Sequence, residues 1–499
     1  MHSSWWIGAL LLLPLVGALL VSLSRRDSVN ARRAALAISG AEFLLAVVTA
    51  LLYNGHVAQA STWDFAAKWV VSAPLGLSYN VALDGISVAL VLLSTFVALV
   101  AMAADRTARR EPAYLVWQLL SLEFTVGAFV AHDLLLFFIF FELVLVPSYF
   151  MVSGWGGSGA RRAAMKFFLY TFAGSAPALV AVIYLGVLHQ HEAGGALTFD
   201  YSALSSTVMT TSQAVGIFLG LALAFAVKAP LWPLHSWSPA TYGEAPVAAG
   251  AQLAATLSKL GTYGLLRFAL PLAPLAVKEV TPVLLVLAVI AILYGSLVAA
   301  VAQDLRRLLV FSSVAQMGFI TLGVMSGSQL ALTGAVVLMV VHGVATVGLF
   351  VLIGALERRR GSARLDDVRG LQGSLPVLGG FVTVVAFTTI GVPGLGGFVG
   401  EFLILLGAFG VHPAYAAIAT LGTVGAAVYW LWAYQRAFHG PASDTSGDLV
   451  DATTTERLLL WPVVVLVVAL GVLPAPLLSR VSPSVQQIVA HVTPSGVSR

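Results

Sequence analysis

The sequence predicts an all-α polytopic membrane protein of about 14 transmembrane helices. Three observations carry that reading. Of 499 residues, 59% are hydrophobic and only 10% are charged, against about 25% charged in a soluble domain. The mean hydropathy is +0.94. No water-soluble fold hides that much apolar surface, so lipid is the solvent. The second observation is a succession of apolar runs, each near the ~20 residues that cross a bilayer. The third is the placement of Lys and Arg between those runs.

The runs fall at 4–23, 34–53, 81–103, 113–131, 134–152, 164–188, 213–233, 247–270, 281–302, 308–326, 330–355, 376–409, 414–435 and 458–479. The first run has no Lys or Arg before it and has Arg25 and Arg26 after it. That is the reverse of a secretory leader, so a retained helix starting on the outer side is expected. The 376–409 run is too long for one straight span and contains Pro393, Gly394, Gly396 and Gly397, so one broken helix is expected there.

With the N-terminus outside, the inner loops hold Arg25, Arg26, Arg32, Arg33, Arg106, Arg109, Arg110, Arg161, Arg162, Lys166, Arg306, Arg307, Arg358, Arg359, Arg360, Arg364, Arg369, Arg436 and Arg457. These make up most of the 26 Lys and Arg residues. Lys68, Arg267, Lys278, Arg480 and Arg499 fall at or near the outer side, leaving only Lys228 and Lys259. The bias implies an even number of helices, with both termini outside. The outer segments 54–80 and 189–212 carry short alternating patterns and are expected as small hairpins. The net charge of +4 is small and is no nucleic-acid signal. The absence of cysteine excludes disulfides, iron–sulfur clusters and thiolate zinc sites on this chain.

Charged groups at mid-membrane are expensive and mark function or an ion pair. Glu142, Lys228, Lys259 and Glu401 stand near mid-helix, with Glu123 a fifth candidate. Glu142 lies in FFIFFELVLVPSYF and Lys228 in LALAFAVKAPLWPLHSW. Each is desolvated, and each is the other's natural partner. Such a pair has two protonation states close in free energy, as a relay requires; the plainer reading is a static pair locking two helices. Lys259 sits among Thr256, Ser258 and Thr262, small hydroxyl residues that permit close packing and water. The alternative for Lys259, snorkelling to an interface, does not fit its central position. Glu401 follows GVPGLGGFVG, where a broken helix exposes backbone groups along a cavity. His235 and His342 are secondary candidates, as proton carriers or as packing residues. Asp84 and Asp133 read as helix caps.

A second break is expected at Lys228–Ala229–Pro230. One charged, interrupted helix in each half suggests two structural repeats, at about 113–270 and 281–435. A single membrane domain, 1–499, then has leading helices over 1–103 and a last helix over 458–479.

The strings FFELVLVPSYF, KAPLWPLHSWSPATYGEAP, KLGTYGLLRF, DLRRLLVFSSVAQMGF, VHGVATVGLF and GVPGLGGFVGEF resemble, in order, those of the antiporter-like membrane subunits of respiratory complex I, the proton-pumping NADH:quinone oxidoreductase. The resemblance runs from about residue 80 to residue 440. It implies 14 helices, two inverted five-helix repeats and broken seventh and twelfth helices. Glu401, where the L and N branches and the related sodium/proton antiporters usually carry Lys, is similar to the M branch. The short stretch beyond the last span leaves no room for the L branch's long lateral helix. By the same resemblance, Glu142 and Lys228 match the family's coupled pair, Lys259 its central lysine and Glu401 its terminal carboxylate. One departure stands out: after PLHSW the family commonly reads LPDAH, whereas Ala240 and Tyr242 replace the acid and the histidine here.

The expected function is therefore proton translocation in an inner bacterial membrane, driven by remote redox chemistry. The resemblance puts FMN, iron–sulfur clusters and quinone on other subunits, with no cofactor on this chain. It makes the L and N subunits flanking partners. Two other readings stay open: a subunit of a multisubunit cation/proton antiporter or membrane-bound hydrogenase, and a non-transporting scaffold.

Overall fold

The computed structural model describes residues 5–24, 28–54, 63–105, 111–439 and 449–492. Arg25, Arg26, Arg106, Arg109, Arg110 and Arg499, along with 55–62 of the first outer segment, lie outside the described residues.

In chain order the elements are α1 (Trp5–Leu23), α2 (Ser28–Leu52), strands β1 (Asp64–Ser72) and β2 (Leu77–Leu83), α3 (Gly85–Ala104), α4 (Pro112–Val130), α5 (Leu134–Leu143), α6 (Leu145–Trp155), α7 (Ala160–Ala193), α8 (Tyr201–Leu204), α9 (Thr211–Lys228) and α10 (Ser238–Glu244). The next helix is segmented: α11 (Val247–Gln252), a π-turn (Leu253–Leu257), α12 (Ser258–Gly264), a second π-turn (Leu265–Ala269) and α13 (Leu270–Leu272). Then come α14 (Val277–Ala300), α15 (Leu305–Met325), α16 (Gln329–Arg360), α17 (Pro376–Ile390), α18 (Gly396–Phe409), α19 (Pro413–Tyr434), α20 (Thr454–Val472) and α21 (Ala475–Val492). Among the described residues, 12 helical stretches are long and apolar enough to cross a membrane. The two other expected spans, 247–270 and 376–409, are the interrupted ones.

The interruptions have local causes. Pro147 has no N–H to offer the Leu143 carbonyl one turn back, and the helix breaks at Val144; the sequence reading had left 134–152 straight. Pro230 ends α9 at Lys228. The displaced backbone finds new partners: Leu231 N donates to the Ala226 carbonyl at 2.9 Å, and the Trp237 indole N–H to the Val227 carbonyl at 2.9 Å. Between α17 and α18, Gly391 and Gly394 take φ of 80° and 90°, a region open to glycine. A Cβ on Gly397 would lie 1.7 Å from the Thr388 carbonyl, so only glycine lets the two half-helices cross. The π-turns in 247–270 carry no proline and were not anticipated.

The apolar lengths of α15 and α16 are buried throughout, whereas 22% of that of α20 is. The protein thus has a packed centre and a lipid-facing rim. At one end of the bundle, arginines tie loops to helix ends. Arg306 pairs with Glu357 and donates to the Ala245 carbonyl at 2.6 Å. Arg358 and Arg359 hold Glu456 at 3.0 and 2.7 Å, in the capping box that starts α20.

At the opposite end, the first expected hairpin is present as β1–β2, antiparallel with Lys68 opposite Asn80 and Trp69 stacked on Tyr79 at 5.0 Å. The second is not. Residues 189–212 continue α7 to Ala193 and then form the short α8. Asp200 decides this by accepting from Ser202 N at 2.8 Å and Ala203 N at 3.2 Å, a helix cap in place of a strand turn. Helix α21 was also not anticipated. It buries Val481, Val485 and Ile488, a helical spacing, and receives the Gly85 N–H on Ser484 Oγ at 3.1 Å.

Asp200 also accepts Lys68 Nζ at 2.7 Å and Asn80 Nδ2 at 2.8 Å. Burial alone would push its carboxyl up, but the Lys68 contact and the backbone donors outweigh this and hold it below its usual range. A carboxylate depressed on folding stabilises above its unfolded pKa, about 3.9, and loses that contribution as pH falls through the folded value. Hydrogen-exchange protection of 64–83 is expected to be level from neutral pH to about pH 4 and to drop below it. Lys68→Met should lower protection at neutral pH by about tenfold at most, because the lysine is half exposed.

Candidate functional site

The helix breaks set polar backbone beside the buried charged side chains. Lys259 is fully buried. Its amine donates to the Ala254 carbonyl at 2.9 Å and to Ser258 Oγ at 3.3 Å, and lies 2.6 Å from His342 Nδ1. The Ala254 carbonyl lies in the first π-turn and also accepts the Ser258 hydroxyl at 2.8 Å. His342 comes from the wholly buried α16, with Thr346 Oγ1 3.4 Å from its Nε2. The structure thus joins two residues, Lys259 and His342, that are 83 positions apart. All of the amine's partners are uncharged acceptors.

Lys228, 1% exposed, ends α9. Its amine donates to the Phe141 carbonyl at 2.6 Å and stands 3.9 Å from the centre of the Phe141 ring. Glu142 is the next residue. Among the described residues no ion pair within 4.0 Å joins Glu142 to Lys228, and no geometric hydrogen bond closes on either Glu142 oxygen. Lys228 and Ser175 are within electrostatic or hydrogen-bonding reach of that carboxyl. The expected pair is therefore near but open, the lysine resting on backbone one residue away.

Glu401, 3% exposed, begins the second turn of α18. Gln316 Nε2 donates to its Oε1 at 2.7 Å and also to the Thr389 carbonyl at 3.2 Å. Thr423 Oγ1 donates to its Oε2 at 3.3 Å. Neither partner had been anticipated. Gln316 and Ser312 lie one turn apart on α15, and Ser312 Oγ accepts from the Tyr429 hydroxyl at 3.0 Å.

His235 is not brought into hydrogen-bonding contact with either lysine. Its ring packs on Tyr294 at 5.1 Å and Phe311 at 6.2 Å, and its Nδ1 has no partner. Glu123 lies away from the lysines. It is 2% exposed and sits within electrostatic reach of Glu42, a wholly buried residue of α2 that the sequence reading passed over. A charged residue mid-span in 34–53 was the signal available. The expected caps are present: Asp84 accepts from Ser87 N at 2.9 Å, and Asp133 from Leu135 N at 3.0 Å and Leu136 N at 2.9 Å.

At one end of the bundle an open cavity of about 1220 Å³ is lined by Asp105, Ala240, Glu244, Asp304, Arg306 and Glu357 among others. Ala240 stands where an acid was expected, and Glu244 of the same short helix supplies a carboxylate to that wall. Tyr242 turns inward, and its hydroxyl donates to the Leu253 carbonyl at 3.3 Å, at the first π-turn.

Two substitutions test the Glu401 cradle. A Cβ on Gly391 would meet Glu401 Oε2 at 2.9 Å in a left-handed backbone, so Gly391→Ala should displace the carboxyl. Gln316→Leu leaves a buried carboxyl short of a donor, at about 1–3 kcal/mol. Both should loosen the junction of α17 and α18, read as faster hydrogen exchange there in the purified protein. Unchanged exchange would mean that the cradle does not set the position of Glu401.

Residues 131–426 match the family described as NADH:quinone oxidoreductase/Mrp antiporter, TM. NADH-quinone oxidoreductase subunit M of Pseudomonas aeruginosa is 40% identical over 425 residues, covering 84% of this chain and 83% of the relative. The protein of the same name from Escherichia coli K12 is 36% identical over 487 residues, 94% of each chain. A chain of respiratory complex I from Thermus thermophilus with bound NADH superimposes with a TM-score of 0.89 at 33% identity, over 97% of this chain and 99% of that one. A chain of the Mrp complex from Dietzia, at 21% identity over 97% of each chain, shares the fold, with a TM-score of 0.83. The chain belongs to the NADH:quinone oxidoreductase/Mrp antiporter membrane family, in the branch of the NADH-quinone oxidoreductase M subunits.

Proposed function

We propose that this chain carries protons across the membrane within an NADH:quinone oxidoreductase, through a relay of Glu142, Lys228, Lys259 and Glu401, with His342 between the last two. The observation that carries the reading is Lys259, an amine at the centre of the bundle bonded at 2.6 Å to an imidazole nitrogen. A donor and an acceptor at that distance exchange a proton without backbone movement. A lysine placed only to clamp helices would have a carboxylate as its partner.

The open Glu142–Lys228 arrangement supplies the switch. Rotation of the Lys228 side chain from the Phe141 carbonyl to the neighbouring Glu142 carboxylate closes an ion pair. The local field at Lys259 changes, and with it the amine's hold on its proton. A tenfold to hundredfold change in proton affinity supplies about 1.4–2.7 kcal/mol, and moving one charge against 100 mV costs about 2.3 kcal/mol. The swing must therefore approach the upper figure. His342 Nδ1 receives the proton, and hydrated polar groups on α15 and α19 lead to Glu401.

The chain holds no cysteine for iron–sulfur ligation, so the driving redox chemistry, with FMN, clusters and quinone, is assigned to other subunits. The flanking partners are the antiporter-like L and N subunits, the site is the bacterial inner membrane, and both termini face outward. The halves at about 113–270 and 281–435 act as inverted repeats around broken helices: α9 followed by α10, and α17 followed by α18.

Lys259→Ala and Glu142→Ala separate transport from scaffolding. Each is expected to leave complex assembly intact on native gels while cutting NADH-driven proton pumping by about tenfold or more. Normal pumping in assembled variants would overturn the relay, and loss of assembly alone would favour the scaffold reading.

A further inference from the structure

Lys259, Tyr263 and Arg267 stand at intervals of four along one helix, so they line one face. Arg267 lies about 12 Å beyond Lys259 toward the outer end. There it pairs with Asp84, the cap of α3, the two side chains being 4% and 0% exposed. Buried ion pairs are costly and are often replaceable by apolar residues without loss of stability. Helix joining alone does not account for this one.

The surroundings close the pair off. The Tyr263 hydroxyl lies 3.1 Å from the Phe129 carbonyl and 3.2 Å from Ser87 Oγ. The guanidinium stacks over the Trp63 ring at 4.6 Å. Helix α21 covers the far side so tightly that a Cβ on Gly85 would meet the Arg480 carbonyl at 1.8 Å. In the second half, by contrast, Glu401 is held by Gln316 and Thr423 alone. Among the described residues no Lys or Arg makes an ion pair or hydrogen bond with it.

The geometry points to the Asp84–Arg267 pair as a fixed electrostatic plug that bars protons from leaving the first half directly to the outer side. The argument rests on Lys259 being a proton carrier. A guanidinium keeps its charge at any working pH. A buried cation is weakly screened, so it repels an excess proton arriving from Lys259. The carboxylate that would otherwise attract that proton is already committed to Arg267 and to the Ser87 N–H. Outward traffic is then left to the Glu401 side, and a leak that would short-circuit the pump is closed.

The test uses the whole complex in liposomes without NADH, with a potassium diffusion potential driving protons and an internal pH dye reading them. The double variant Asp84→Asn/Arg267→Gln removes both charges and leaves neither unpaired. It should raise passive proton flux per assembled complex by about tenfold, as a barrier lowered by about 1.4 kcal/mol does. Arg267→Lys, which keeps the charge, should remain tight. Adding Lys259→Ala to the double variant should abolish the leak. An assembled double variant as tight as the parent overturns the plug. A leak that persists without Lys259 keeps the plug and instead removes Lys259 from the route. If the double variant does not assemble, Tyr263→Phe decides. No proton needs to pass Tyr263, so NADH-driven pumping should be unchanged, and a loss in assembled complex overturns the proposal.

Discussion

An amine buried in the middle of a membrane bundle with only uncharged acceptors around it is the constraint on which this structure depends. Lys259 has the Ala254 carbonyl, Ser258 Oγ and His342 Nδ1 and no counter-charge in contact. A buried polar group must be hydrogen-bonded or it destabilises the fold. Three neighbouring features meet that demand: a carbonyl in a π-turn, a hydroxyl one residue away, and an imidazole brought in by the buried middle of α16. Among the described residues no carboxylate touches the amine.

The same trade between helix continuity and polar supply recurs at the other sites. Pro147 breaks the helix after Glu142, Pro230 breaks it after Lys228, and Gly391 with Pro393 breaks it ahead of Glu401. In lipid, unpaired backbone is tolerated only inside protein; Val144 and Ala229 at the first two breaks are fully buried, whereas Pro393 and Gly394 at the third are exposed. Where a break leaves a carbonyl without its helical partner, a side chain takes it: the Trp237 indole at Val227, the Lys228 amine at Phe141, Gln316 at Thr389. The charged groups and the breaks are thus one design, since a straight apolar helix has no means of stabilising an ionisable side chain at its midpoint.

The two ends of the bundle are held differently. One end is laced by arginine pairs at Glu357, Glu456 and Asp366, and these sit beside a wide polar cavity. The other is closed by aspartate caps, the β1–β2 hairpin and α21. The buried Asp84–Arg267 ion pair lies at that second end, and among the described residues no Lys or Arg pairs with Glu401.

The sequence by itself determined the membrane class, the approximate spans, the two proline- and glycine-marked breaks and the charges of Glu142, Lys228, Lys259 and Glu401, though it began 34–53 late and carried 458–479 past the end of α20 at Val472. These are local properties: hydropathy over a window, missing N–H groups, and a charge in an apolar run. It did not reveal the π-turns, because no residue type forces them; between them α12 packs so closely on α9 that a Cβ on Gly261 would fall 2.3 Å from the Phe225 carbonyl. Nor did it reveal Gln316 and Thr423 at Glu401, the pairing of Asp84 with Arg267, or Glu42 beside Glu123. The helix α21 and the capped turn at Asp200 escaped it too, one hidden in a weakly apolar tail and the other decided by Lys68 and Asn80 far away in sequence. Which charge meets which partner depends on helices more than 80 residues apart, and only the tertiary structure decides it, because a neutral acceptor, an ion pair and an empty cavity are indistinguishable from within one span.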